Sequence, residues 1–439
     1  MGIILGLLGF ILLQGTPAKP KPLEYRQTVL PNGLTLITHE DHSTPVADVQ
    51  LWYHVGSKDE KPGKTGFAHL FEHLMFKGSA DLKPEEHANI ITNAGGENNA
   101  FTTDDVTVYW QTFPVNYLEK VLWMESDRMA ALDVSEENFQ QEREVVKEER
   151  LTRVENPPYG DVFELLYDAA FDVHPYKHLT IGSMADLNAA TIADVREFYR
   201  THYVPNNATL VVSGDFRTRQ VIDWTNKYFG GIPKGGTPIE RPNVREPTHE
   251  KERRITRQKP VPLPAYVAGY YIPEDGHPDS YPLTIASLIL SRGESSRMYR
   301  SLVYDTQLTI QADASGDFRE DPNLFFAILI LNRGASLDEA EKVLEAELAR
   351  IGAESVSDQE LAKAKNTIRS QFTFGRQSVH EKGEALAHAA VIHDDAAAAD
   401  KEYDLFMKVT KDDIMRVSKA YFRPENRTVL ILNPAARGN

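Results

Sequence analysis

The chain has no cysteine among its 439 residues. It therefore has no disulfide framework, and any metal site must be built from histidine, carboxylate or other oxygen donors rather than thiolate. It also lacks a basic surplus: 48 Lys and Arg face 64 Asp and Glu, a net charge of −16. No basic stripe interrupts that acidity, which argues against nucleic acid as a partner. A long hydrophobic run is missing too. The apolar opening from Gly2 to Leu13 is short for a bilayer span and leads into Thr16-Pro17-Ala18 and a Lys/Pro stretch. Residues 1–18 thus read as a secretory signal peptide without the usual leading cation, placing the protein in a periplasm or outside the cell; an uncleaved membrane anchor is the alternative.

What is present is ordinary for an ordered soluble protein: 41% hydrophobic and 26% charged residues. The length is too great for one core, so two domains or more are expected. An internal repeat says where they lie. Thr191-Ile192-Ala193-Asp194 runs on through Tyr203 and Pro205 to the apolar Ala208–Val212, and Thr410-Lys411-Asp412-Asp413 runs on through Phe422 and Pro424 to Arg427–Ile431, at an offset of 219. Ser135-Glu136-Glu137 echoes Ser357-Asp358-Gln359 at an offset of 222. Two copies of one α+β unit follow, 19–232 and 255–439, joined by a Gly-, Pro- and charge-rich linker over 233–254.

The chemistry concentrates in His69-Leu70-Phe71-Glu72-His73. Histidines four apart on a helix share one face, so both can reach one divalent ion, while the adjacent Glu72 can take a proton from water. Phe67, Leu70, Phe71, Leu74 and Met75 would bury most of this helix, and buried imidazoles need partners. A metal supplies them; satisfied core histidines are the alternative. A third ligand is sought in the Gly- and Pro-free run from Ser135 to Glu155, a helix with a serine cap in which Glu142 and Glu149 lie two turns apart on one face.

The order H-x-x-E-H, with Glu149 76 positions after His73, resembles the M16 metallopeptidases, as do Gly66-Phe67-Ala68, Phe76-Lys77-Gly78-Ser79 and Asn93–Thr102. The resemblance covers the chain from about residue 25. It implies one zinc ion per chain held by His69, His73 and Glu149, Glu72 as general base, and Glu142 supporting the site from behind. It also implies two α/β sandwiches, each a sheet backed by helices, forming half of a clamshell-like chamber. The expected activity is endopeptidase cleavage of extended or unfolded peptides. The expected substrate-binding residues are Asn99, Ala100 and Phe101, on an exposed sheet edge that pairs with peptide backbone. Gly95-Gly96 is expected at the turn of the hairpin that carries them.

The second copy lacks the motif: Leu288 falls opposite His69 and Gln371 opposite Glu149. Val303 and Ile310 stand where many relatives carry an Arg and a Tyr seven apart that hold substrate. The implied partner is a homologous subunit supplying that pair in a heterodimer, with a homodimer otherwise, in which Arg297, Arg300 or Tyr304 would substitute. A non-catalytic assembly subunit, or a metal hydrolase acting on something other than peptides, are the competing functions.

Overall fold

The computed structural model describes residues 19–236 and 238–435; the apolar opening segment lies outside them. Two sheets organise the chain. The first contains β1 (Arg26–Val29), β2 (Thr35–Glu40), β3 (Val46–Tyr53), β4 (Glu97–Thr102), β5 (Thr107–Pro114) and β6 (Ala208–Gly214), in the order β1-β2-β6-β3-β5-β4. The second contains β7 (Arg253–Lys259), β8 (Ala265–Ile272), β9 (Thr309–Gly316), β10 (Asn323–Leu331) and β11 (Arg427–Pro434), in the order β7-β11-β8-β10-β9. Setting β1 aside, the two orders are the same. The last strand of each unit inserts centrally, parallel to the first strand and antiparallel to the next.

Local sequence explains the correspondence. Thr191 and Thr410 each accept a hydrogen bond from the amide three residues on, while Asp194 and Asp413 return it, so both helices start with a reciprocal cap. Each helix ends before a proline turn, Pro205–Asn207 or Pro424–Asn426, which feeds a buried apolar strand. β7 starts at Arg253, two residues inside the stretch read as linker, because it pairs in register with Thr428–Pro434.

Alternating residues give each sheet two buried faces. Leu36, Val49, Leu51, Tyr53 and Val212 face the first unit's own helices. Ile37, Trp52, Val108 and Val211 face the opposite way and are covered by the helix Val379–Ile392, which belongs to the second repeat. Gly383 sits where that helix comes closest: a Cβ there would lie 3.0 Å from Gln50 Nε2 and Ser213 Oγ. In return, the helix Val162–Ala170 of the first repeat lays Leu166, Tyr167 and Ala170 on Val267, Leu324, Phe326 and Leu430 of the second sheet. Each repeat thus lends a helix to the other's sheet, an exchange the linear partition at 233–254 does not express.

A buried charge cluster joins the repeats as well. Lys58 Nζ lies 2.9 Å from Asp105, 2.8 Å from Glu320 and 3.0 Å from Asp321. Arg319 reaches back to Asp104 at 2.7 Å and stacks over the rings of Tyr167 and Tyr176. None of the described helices is long and apolar enough to cross a membrane.

Candidate metal centre

The motif helix Phe67–Leu74 is set by its first turn. Gly66 adopts φ 92°, and a Cβ there would meet the Ile181 carbonyl at 2.7 Å, so the turn requires glycine. Glu60 accepts from the amides of Gly66 and Ala68, both at 2.8 Å, satisfying otherwise unpaired helix-start donors. Phe67, Leu70, Phe71 and Leu74 anchor the helix in the core, with Phe71 stacked on Tyr199. His69, Glu72 and His73 are left on the remaining face.

The acidic helix Glu136–Arg150 begins at Ser135, whose side chain accepts from the Asn138 amide. It packs against the motif helix and brings Glu142 and Glu149 to the histidines. His73 Nε2 lies 3.3 Å and His69 Nε2 3.7 Å from the two oxygens of Glu149. The donor atoms of these three residues all fall within 4.8 Å of one another. Donors held at about 2.0–2.1 Å around a tetrahedral ion would be ~3.3 Å apart, close to these spacings.

The electrostatics fit a cation. Burial drives His69 down to about 3, assisted by the charges of His73 and Arg153, so its ring is neutral at ordinary pH. His69 Nδ1 is buried without a hydrogen-bond partner among the described residues, and Nε2 is too far from Glu149 to bond it. An imidazole buried with neither nitrogen bonded is costly unless something else binds it. His73 differs. Burial lowers its pKa, but the Glu142 hydrogen bond and the Glu149 charge outweigh it, and the net shift is upward. Its Nδ1 lies 3.3 Å from Glu142 Oε2, which fixes the ring so that Nε2 points at Glu149. Lys77 holds the other Glu142 oxygen at 3.1 Å.

Glu72 stands apart from the cluster of donors. Burial pushes its carboxyl up, opposed by the hydrogen bond from Thr102 Oγ1 at 2.6 Å. Thr102 closes β4, the outer strand of the first sheet, so one hydrogen bond ties the base to the sheet edge. Asn99 on β4 is exposed, while Ala100 and Phe101 are half-buried. The Ala100 amide donates to Asn99 Oδ1 at 2.9 Å. The hairpin turn is not at Gly95-Gly96, as expected, but at Thr103–Val106, where Thr103 Oγ1 accepts from the amides of Asp105 and Val106. Gly95 instead terminates the preceding helix with φ 82°.

A cavity of about 860 Å³ opens beside the edge, between Phe101 and Thr102 on one side and Gln371, Phe372 and Arg376 on the other. A smaller pocket of about 260 Å³ lies directly at Glu72 and His73. Gln371, opposite Glu149 in the repeat, lines the larger cavity, and Leu288 packs with the second core. Val303 is half-buried and Ile310 exposed. Arg297 is held by Glu360 at 2.7 Å, whereas Arg300 stacks over the exposed Tyr304.

Sequence reasoning gave no role to three neighbours of the site: Thr102 on Glu72, Lys77 on Glu142, and Arg153, 2.5 Å from Glu149. Arg153 lies on the π-helical turn Leu151–Glu155 that extends the acidic helix. Its spacing of four from Glu149 was the available signal.

Two sandwiches of one topology, with a His–His–Glu cluster in the first, define a duplicated metallopeptidase-type fold. The chain belongs to peptidase family M16: residues 35–183 match the family described as insulinase (peptidase family M16), and 189–368 the one described as peptidase M16 inactive domain. It is similar to the zinc protease PqqE of Helicobacter pylori, 30% identical over 414 residues, covering 94% of this chain and 93% of that protein. A probable mitochondrial-processing peptidase subunit beta of Arabidopsis thaliana is 22% identical over 422 residues, covering 94% of this chain and 78% of that one. Among solved structures, a protease from Helicobacter pylori aligns with a TM-score of 0.90 at 29% identity over 94% of this chain and all (100%) of that one. The first half of the periplasmic protease PqqL from Escherichia coli shares the fold, with a TM-score of 0.76 at 18% identity over 94% and 92% of the two chains.

Proposed function

We propose that this chain is a zinc-dependent endopeptidase acting on extended peptides, with the metal-bearing site in its first repeat. The observation that carries the reading is the convergence of His69, His73 and Glu149 beside a carboxylate, Glu72, that is hydrogen-bonded to the sheet edge. A zinc ion held by those three residues would supply Lewis acidity, polarising the scissile carbonyl and acidifying water.

The chain's own groups supply the rest. Thr102 holds Glu72 Oε2, leaving Oε1 to accept the proton of the attacking water and later deliver it to the leaving amine. Glu142 orients His73, and Lys77 orients Glu142. β4 offers its outer edge to an extended peptide, with Asn99, Ala100 and Phe101 as the contact residues, and Phe101 faces the large cavity.

A homologous second subunit completes the site in this reading. Val303 and Ile310 offer no side-chain hydrogen-bond donor, and Arg297 is already held by Glu360. The apolar opening segment supports an exported protein.

The test is zinc content and hydrolysis of an unstructured peptide library by the purified chain, alone and with a homologous subunit carrying the Arg/Tyr pair. Stoichiometric zinc with cleavage only in the mixture is expected. Full activity of the pure chain would remove the partner, and absence of both metal and cleavage would remove the peptidase.

A further inference from the structure

A second cluster of metal-ligating side chains lies in the large cavity, away from the motif helix. Asp275 follows β8, His388 lies on the exchanged helix Val379–Ile392, and His393 ends that helix. Their donor atoms also fall within 4.8 Å of one another. His393 Nε2 is 3.2 Å and His388 Nε2 3.6 Å from the same oxygen, Asp275 Oδ2. The first is within hydrogen-bonding range and the second is beyond it, so Asp275 satisfies one ring and leaves the other without a bond to it. Both spacings match the ~3.3 Å separation of donors around a tetrahedral ion, as the spacings around Glu149 do.

The carboxylate is oriented for this. The Gly276 amide donates to Asp275 Oδ1 at 2.9 Å, leaving Oδ2 toward the two rings. The Asp275 amide is fixed in turn by the Arg319 carbonyl at 2.7 Å. Gly276 has φ 76°, which favours glycine, and a Cβ there would lie 3.3 Å from His393 Nε2 and crowd the ring. Glu402, from the neighbouring helix Ala398–Lys408, lines the same cavity. Arg376, which also lines the cavity, is already bonded to Asp400, Ala399 O and Lys21 O. A carboxylate beside two imidazoles, with a further carboxyl lining the same cavity, is a donor set that suits a divalent ion.

We propose that Asp275, His388 and His393 form a second divalent-cation site of the zinc class, which clips the exchanged helix to the loop after β8. The site is independent of the peptidase reading. Its role follows from its place. The helix it would hold covers the far face of the first sheet, so the ion would strengthen the seam between the repeats rather than take part in hydrolysis. His388 and Asp275 also line the cavity, which gives the ion an entry path.

The experiment counts metal in the full chain after zinc loading and dialysis against a weak chelator. The variants are H69A/H73A, H388Q/H393Q and all four changes together. About two zinc ions per chain are expected in the unmodified protein, about one in each double variant and none in the quadruple. Zinc should also raise the Tm of H69A/H73A, and adding Asp275→Asn, a near-isosteric change that spares the fold, should abolish the rise. An H388Q/H393Q chain that binds as much zinc as the unmodified protein would overturn the proposal, as would an H69A/H73A chain that neither binds zinc nor gains Tm. Loss of the motif's zinc alone, with the H388Q/H393Q-sensitive ion retained, would count against the peptidase centre and support this site.

Discussion

His73 and Glu142 form a directional pair: Nδ1 of the ring faces Glu142 Oε2 at 3.3 Å while Nε2 faces Glu149. Replacing Glu142 with Gln should therefore loosen the ring without removing any proposed ligand. Zinc affinity is expected to fall ~10–100-fold, the usual effect of losing such an outer partner, read by chelator competition. Unchanged affinity would show that Lys77 and the helix packing hold the ring by themselves.

Glu72→Gln keeps the Thr102 hydrogen bond possible but removes the proton acceptor. Zinc content should stay constant while turnover falls by roughly 10²–10⁴, the range general-base catalysis contributes. Residual hydrolysis within a few-fold of the unmodified chain would assign the base elsewhere.

Ala100→Pro tests the sheet edge. The Ala100 amide bonds only the Asn99 side chain among the described residues, so proline removes that donor at an edge position where proline is tolerated. KM for an extended peptide should rise about three- to tenfold, the effect of one hydrogen bond worth ~1 kcal/mol, with zinc content unchanged. A KM equal to that of the unmodified chain would place the peptide elsewhere.

Lys58→Ala leaves Asp105, Glu320 and Asp321 facing one another across the seam without their shared cation. Stability in urea should drop by about 3–5 kcal/mol, the cost of breaking a buried ion pair from one side. A loss below about 1 kcal/mol would mean that water reaches the cluster freely.

The exchanged helix carries a pH dependence. His380 faces Asp48, Glu384 and Glu97; burial lowers its pKa, but the hydrogen bond and charge of Asp48 prevail and the net shift is upward. A raised folded-state pKa stabilises fully below the unfolded value, ~6.5, and the contribution is lost as pH rises through the folded value. The stability advantage of the unmodified chain over His380→Gln should thus be larger at pH 5.5 than at pH 8.5. A difference that is flat or grows with pH would exclude the pair as its source.

Much of this was legible in the sequence because it is local. The capped starts at Thr191 and Thr410 and the strands after Pro205 and Pro424 repeat at one offset, and the structure gives them matching places. His69, Glu72 and His73 share a helix face by arithmetic alone, and β4 is an outer strand as the family resemblance implied. The helix exchange was not legible. An apolar face on Val162–Ala170 or Val379–Ile392 calls for a sheet, but periodicity does not say which one. The hairpin turn was misplaced because Gly-Gly is a strong turn signal, whereas the actual turn is made by a threonine side chain closing on two amides.

That exchange sets a timetable for biosynthesis. The first sheet is complete once β6 ends at Gly214, yet the helix that covers its far face begins only at Val379. The ribosome adds ~5–20 residues per second, so the intervening 164 residues, 215–378, leave Ile37, Trp52, Val108 and Val211 uncovered for on the order of ten to thirty seconds. The nascent first repeat is in that interval an unfinished surface, and a chain truncated before Val379 would keep it, as an aggregation-prone fragment rather than an independent domain.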